Sequence, residues 1–235
     1  MDIKTWMKDY LDKLKSLFGS RLLFVGLQGS YGRGEATESS DIDIVVILNC
    51  VSPEDLKMYS SMLDTLPNRE KVCGFISGRQ ELMNWERSDL FQFYYDITPI
   101  FGSIDFLQPL IGKEDVCRAV RIGACNIYHM CGHNMVHEKN GELLKALYKS
   151  AAFTVQAVSY LQAGIYRKRK TELLPVLHQP EREILETAIS LKQKNDLTQA
   201  EFDRLSGELF RWASDLIAEY QPDETRTHKG GCCDA

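Results

Sequence analysis

The sequence predicts an α+β protein, a strand-bearing first half followed by an all-helical second half. Two observations carry this. Short apolar, partly β-branched runs (Leu22 to Leu27, Ile42 to Leu48, Val72 to Ser77, Thr98 to Phe101) alternate with turn and helix signals. From about Lys113 no such run follows, and helical periodicity dominates over roughly 114–138, 141–164, 168–177, 180–194 and 198–219. The reading sets an α/β domain at residues 1–112 and a helical bundle at 113–220. A polar, Gly-rich and therefore disordered tail is expected at 221–235.

Taken in order, residues 2–18 place Trp6, Tyr10, Leu11, Leu14 and Leu17 at helical spacing, and Gly19 stops the helix. Gly29-Ser30 breaks the first strand. Ile42 to Leu48 is apolar throughout, as a buried central strand requires. Ser52-Pro53-Glu54-Asp55 opens a helix that ends before Pro67, with Pro at the first helical position and acids in the first turn. Gln80 to Tyr95 reads as one helix, and Gly102 closes the last strand.

A chain of 235 residues, 44% apolar and 26% charged, is long enough to bury a core and has the balance of a soluble globular protein. Its net charge of -5 argues against a duplex-binding protein, which would show a basic face. The N-terminus lacks the apolar core of a signal peptide, and no run has the length of a membrane helix. Seven cysteines, odd in number and without a C-x-x-C pair, fit free thiols in a reducing cytoplasm.

Chemistry concentrates in Gly29-Ser30-Tyr31-Gly32-Arg33-Gly34 and Ser39-Ser40-Asp41-Ile42-Asp43-Ile44. Gly29 lets backbone approach a ligand closely, and the N–H groups and hydroxyl around Ser30 suit a phosphate. Asp41 and Asp43, two apart at the start of a strand, point to the same face. Carboxylates so placed repel unless a cation sits between them, and beside a phosphate-binding turn they suit Mg²⁺ bridging protein and triphosphate oxygens.

These residues resemble the G-S-x-x-x-G-x-x-x-x-S-D-[IVL]-D signature of the DNA-polymerase-beta-like nucleotidyltransferases, with Asp41 eleven residues after Ser30. Over residues 20–102 the resemblance implies a small mixed sheet with helices on one side. It also implies transfer of a nucleoside monophosphate from a triphosphate, with Asp41 and Asp43 on the metals and Gly29, Ser30 and Arg33 at the phosphates. The family usually carries a third carboxylate on the next strand, often as the base. Here that strand, Val72-Cys73-Gly74-Phe75-Ile76-Ser77, has none. Glu81, Asp96 and Asp105 lie nearest in sequence, and Asp96 is the catalytic candidate. A base from the helical half, such as Glu142, or a site that binds without turnover, stays open.

The stretches Leu143 to Lys149 and Gly164 to Leu174 resemble the C-terminal helical domain of antibiotic nucleotidyltransferases of the kanamycin and streptomycin type. In that family the helical domain closes over the nucleotide and offers it lysines. Arg167, Lys168, Arg169 and Lys170 form a cationic run inside an acidic protein, suited to offsetting triphosphate charge. Lys149, Tyr166, Lys168 and Lys170 are therefore expected at the nucleotide. His129, His133 and His137 recur every four residues, one step after Cys125. Packing against a neighbouring helix or a cleft is the expectation, with a transition-metal pair as the alternative.

The function expected is Mg²⁺-dependent transfer of AMP, or another NMP, from ATP to a hydroxyl of a small, aminoglycoside-like acceptor. The protein would act without nucleic acid or membrane, in the cytoplasm, as a monomer or homodimer. Two rivals are a regulatory or toxin–antitoxin enzyme that modifies a protein, and a nucleotide-binding module without catalysis.

Overall fold

The computed structural model describes residues 2–221, so the expected tail, Gln221 apart, and Cys232-Cys233 fall outside it. Helix α1 (Ile3–Phe18) is capped by Asp2, whose carboxylate accepts from the Lys4 N–H at 3.0 Å. It buries Trp6, Met7, Tyr10, Leu14 and Phe18, one stripe at helical spacing. Leu11 and Leu17, expected on that stripe, pack only at its edge. Helix α3 (Pro53–Leu63) has a full capping box between Ser52 and Asp55.

The sheet contains β1 (Leu22–Leu27), β2 (Ile42–Leu48), β3 (Val72–Gly78) and β4 (Thr98–Gly102), in the order β3-β2-β1-β4. β1 runs antiparallel to β2 and β4, and β2 runs parallel to β3, the two being joined through α3. The sheet is therefore mixed. Because β2 is apolar on both sides, it feeds two cores. Ile42, Ile44, Val46 and Leu48 pack with α1 and α3. Val45 and Ile47 pack on the opposite face with Leu82 and Leu90, from α4 (Arg79–Met83) and α5 (Arg87–Asp96).

Two expectations are corrected here. Helices cover both faces of the sheet rather than one, since the second face of β2 is equally apolar. The single helix expected over Gln80 to Tyr95 is broken at Asn84, whose side-chain amide donates to the Gln80 carbonyl at 2.8 Å. Asparagine in that role competes with the helical ladder.

The chain divides into two compact units, Met1–Val116 with Tyr166–Leu173, and Cys117–Ile165 with the residues from Leu174 onward. This differs from an unbroken helical domain over 113–220: the cationic stretch returns to the first unit. The second unit is built from α6 (Lys113–His133) beyond its first turn, α7 (Gly141–Ala163), α9 (Glu181–Leu191) and α10 (Gln199–Glu219). Short α8 (Lys170–Leu173) belongs to the first unit. Buried polar groups in the helical unit find partners: the Tyr148 hydroxyl donates to the Leu205 carbonyl at 2.9 Å, and the Trp212 indole to Glu181 at 3.2 Å.

Candidate active site

The end of β2 nearest its start is where the sheet's second face becomes polar. Paired strand residues share a face, and β2 faces β3 with Asp43 opposite Cys73 and Val45 opposite Phe75. On the other flank the Gln28 N–H donates to the Asp43 carbonyl at 2.8 Å, tying the exit of β1 to the entry of β2. Asp43 is half-buried and Asp41 exposed. The loop leading to them is pinned by hydroxyls: Thr37 N–H donates to Ser40 Oγ at 2.9 Å, and Lys71 Nζ to the Glu38 carbonyl at 2.7 Å.

The turn after β1 is the short helix α2 (Gly29–Arg33). Gly29 sits at φ +60°, and a Cβ there would stand 1.9 Å from Asp43 Oδ2. The missing side chain is what allows the carboxylate to rest on the turn's backbone. Gly32 is under similar pressure, with a Cβ position 2.5 Å from the Leu27 carbonyl. Gly29 and Asp43 are thus brought into contact.

Asp96 ends α5 on the same face and is buried. Burial raises its carboxyl above the ordinary range, opposed by Arg33, by Lys168 and by the Gly29 N–H that it accepts. Arg33 Nη1 lies 3.1 Å from Asp96 Oδ2, while Arg33 Nε lies 3.3 Å from Glu35. The guanidinium expected at the phosphates is held between two carboxylates of its own unit.

The returning segment locks onto this assembly. Tyr166 stacks on Tyr95, ring centres 5.2 Å apart, and meets Phe91 edge-on. Its hydroxyl is buried without a hydrogen-bond partner, and burial drives its pKa far upward. Lys168 Nζ donates to the Ile97 carbonyl and, at 3.2 Å, to the Thr98 hydroxyl, which in turn donates to the Gly32 carbonyl at 2.7 Å. Burial lowers the Lys168 pKa, with Asp96 opposing. Arg169 Nε donates to the Arg33 carbonyl at 3.0 Å, and the Lys170 N–H to Glu35 at 3.1 Å. Of the residues expected as nucleotide contacts, Tyr166 thus packs on α5 and Lys168 bonds to Ile97 and Thr98 at the start of β4.

Lys149 is exposed on α7 of the second unit, where Glu142 pairs with Lys145 at 2.6 Å. Glu81 lies against Gly78, and Asp105 accepts from the Tyr94 hydroxyl at 3.2 Å. Among the described residues no three His, Cys, Asp or Glu side chains gather as a metal cage would need. Asp41 and Asp43 offer a two-carboxylate, all-oxygen donor set. That chemistry fits a hard cation such as Mg²⁺, which takes one or two carboxylates and fills its other positions with phosphate and water. Sequence reasoning missed Gln28 and Thr98, and only strand register shows that Cys73 stands opposite Asp43.

This arrangement is consistent with a nucleotidyltransferase domain of the DNA-polymerase-beta-like type in the first unit. Residues 7–108 match the nucleotidyltransferase domain family. A relative from Methanocaldococcus jannaschii, named as a protein adenylyltransferase, is 44% identical over 41 residues. That match takes in 17% of this chain and 41% of the relative, less than half of its length. Spectinomycin adenyltransferase AAD(9) from Enterococcus faecialis, solved with ATP and spectinomycin, shares the fold at TM-score 0.53 and 14% identity. The alignment covers 88% of this chain and 98% of that one. A nucleotidyltransferase-like protein from Exiguobacterium sibiricum aligns over 91% of this chain and 78% of its own, at 12% identity and TM-score 0.38. No helix among the described residues is long and apolar enough to cross a membrane.

Proposed function

We propose that the protein transfers AMP from ATP to a hydroxyl of a small, cationic acceptor, with Mg²⁺ held by Asp41 and Asp43. The observation that carries this is the contact of the Asp43 carboxylate with the Gly29 backbone, which sets acid and phosphate turn side by side. The fold shared with an enzyme solved with ATP and spectinomycin supports both co-substrate and acceptor class.

In this reading Gly29 and Ser30 seat the β- and γ-phosphates through backbone N–H groups and the Ser30 hydroxyl. Mg²⁺, when bound, would offset the charge of the departing pyrophosphate and acidify the attacking hydroxyl. The acceptor oxygen bonds to the α-phosphorus in line as the bond to pyrophosphate breaks. Asp96 is kept as the candidate base: its carboxyl, raised by burial, lies against the Gly29 N–H of the turn and is oriented by Arg33. Arg33, Lys168 and Lys170 fix the turn's shape.

Incubation with Mg²⁺, α-labelled ATP and a panel of aminocyclitols and aminoglycosides tests the proposal. Acceptor-dependent label transfer with equimolar pyrophosphate is the expected result; label on protein instead, as the archaeal relative's name suggests, would replace the small acceptor with a polypeptide. Binding of ATP without pyrophosphate release under any acceptor would sink the transfer reading altogether.

A further inference from the structure

Outside the active site, the second unit carries a stripe of three histidines on α6 and its continuation, all exposed. Their spacing along the chain is equal, but their spacing in space is not. His129 and His133, both on α-helix, hold ring centres 6.5 Å apart. His133 and His137 stand 4.9 Å apart.

The difference comes from the backbone. Residues Asn134–Glu138 form a π turn, closed by the Lys139 N–H donating to the Asn134 carbonyl at 2.7 Å. A π turn rises less per residue than an α-helix, so side chains four residues apart stand closer along the axis. Asn134 fixes it: fully buried, it donates from Nδ2 to the Asn140 carbonyl at 3.0 Å and accepts from the Asn140 N–H at 2.9 Å. The same Asn140 caps α7 by accepting from Glu142 and Leu143. The irregular turn is thus anchored from inside, while its outer face presents imidazoles.

We propose that His133 and His137 form a two-histidine chelate for a borderline divalent transition metal such as Ni²⁺, Cu²⁺ or Zn²⁺. With metal–nitrogen bonds of ~2.1 Å, two imidazoles sharing one ion at tetrahedral or octahedral angles hold ring centres roughly 4.5–5.2 Å apart. The 4.9 Å separation falls inside that range and the 6.5 Å pair outside it. No third His, Cys, Asp or Glu gathers there among the described residues. The remaining coordination positions therefore open to water or to an incoming donor, and the ion is exchangeable. Nitrogen donors separate this site by softness from the all-oxygen pair at Asp41 and Asp43.

Calorimetric titration of the full-length, tag-free protein with Ni²⁺, in Mg²⁺ excess sufficient to occupy carboxylates, tests it. One ion is expected to bind, with H133N and H137N each weakening it at least ~10-fold and H129N by under ~3-fold. A C232S/C233S chain, which removes the tail thiols, should bind as the parent does. Absence of binding to the parent overturns the proposal, as does binding that survives H133N/H137N or vanishes with C232S/C233S.

Discussion

Oδ2 of Asp43 occupies the space that any side chain at residue 29 would need, 1.9 Å from the position of a Cβ on Gly29. The Gln28 N–H also holds the Asp43 carbonyl, so strand β2 and the turn after β1 are joined through both side chain and main chain. The carboxylate's position is set by the turn, and neither can move without the other.

Gly29→Ala should therefore damage the site more than the fold. The methyl group must displace the Asp43 carboxylate, and alanine at φ +60° costs about 1 kcal/mol of backbone strain. Loss of ~100-fold or more in kcat/KM for adenylate transfer is expected, with a fall of only a few degrees in Tm. An alanine variant within threefold of the parent rate would show that the contact does not matter.

Asp43→Asn keeps the volume and removes the charge. Mg²⁺-dependent ATP affinity should drop by about 10²-fold or more, while ATP binding in EDTA, weak in both proteins, should stay the same. Asp41→Asn should do likewise, to a smaller extent, since Asp41 is exposed and its position less constrained. Calorimetry with and without Mg²⁺ separates charge loss from misfolding.

The elements that position this site were readable because each rests on local chemistry. Gly29-Ser30 needs a glycine, Asp41 and Asp43 need period two, and the apolar run of β2 needs burial. What stayed hidden depends on pairing over long sequence separations. Nothing in Tyr166 to Lys170 says that it returns to the first unit; the contacts that bring it there, Tyr95, Ile97, Thr98 and Arg33, lie 70 or more residues away, as with the separation of 136 between Arg169 and Arg33. The cationic run reads as a nucleotide clamp because sequence shows charge without showing its partners, which for Lys168 and Arg169 include main-chain carbonyls, Thr98 and Glu172. The same limit applies to the His stripe, whose unequal spacing comes from a buried asparagine.

Cys73 stands opposite Asp43 on β3, exposed. If a base is what limits turnover, Cys73→Asp should raise kcat by roughly 10-fold or more, since a positioned base contributes about 10²–10⁴-fold. Cys73→Ser, which adds no carboxylate, should leave kcat unchanged. Equal rates for all three proteins would show that proton removal does not limit the reaction, or that β3 does not reach the acceptor.

Asp55 links folding to pH. Its carboxylate accepts from Arg21 Nη2 at 2.6 Å and Nη1 at 3.0 Å, and from the Ser52 N–H at 2.9 Å. These bonds, the Arg21 pair first, lower its pKa from 3.8 to about 2. A lowered folded pKa means that the stabilisation is fully present above the unfolded value and is lost as pH falls through the folded one. The stability gap between the parent and Asp55→Asn should hold above about pH 4 and shrink toward pH 2. Urea midpoints across that series measure it, and a gap independent of pH would contradict the assignment.

Tyr166 distinguishes a brace from a nucleotide contact. Its ring lies stacked on Tyr95 and edge-on to Phe91, yet its hydroxyl is buried with no hydrogen-bond partner. A buried hydroxyl without a partner carries a desolvation cost of about 1 kcal/mol or more, which phenylalanine avoids. Tyr166→Phe should therefore be neutral or stabilising by ~1 kcal/mol and should leave ATP affinity unchanged. Tyr166→Ala removes the stacked ring and should cost about 3 kcal/mol. A phenylalanine variant that keeps its stability but binds ATP tenfold more weakly would return Tyr166 to the nucleotide, because only a contact through the hydroxyl separates those two readouts.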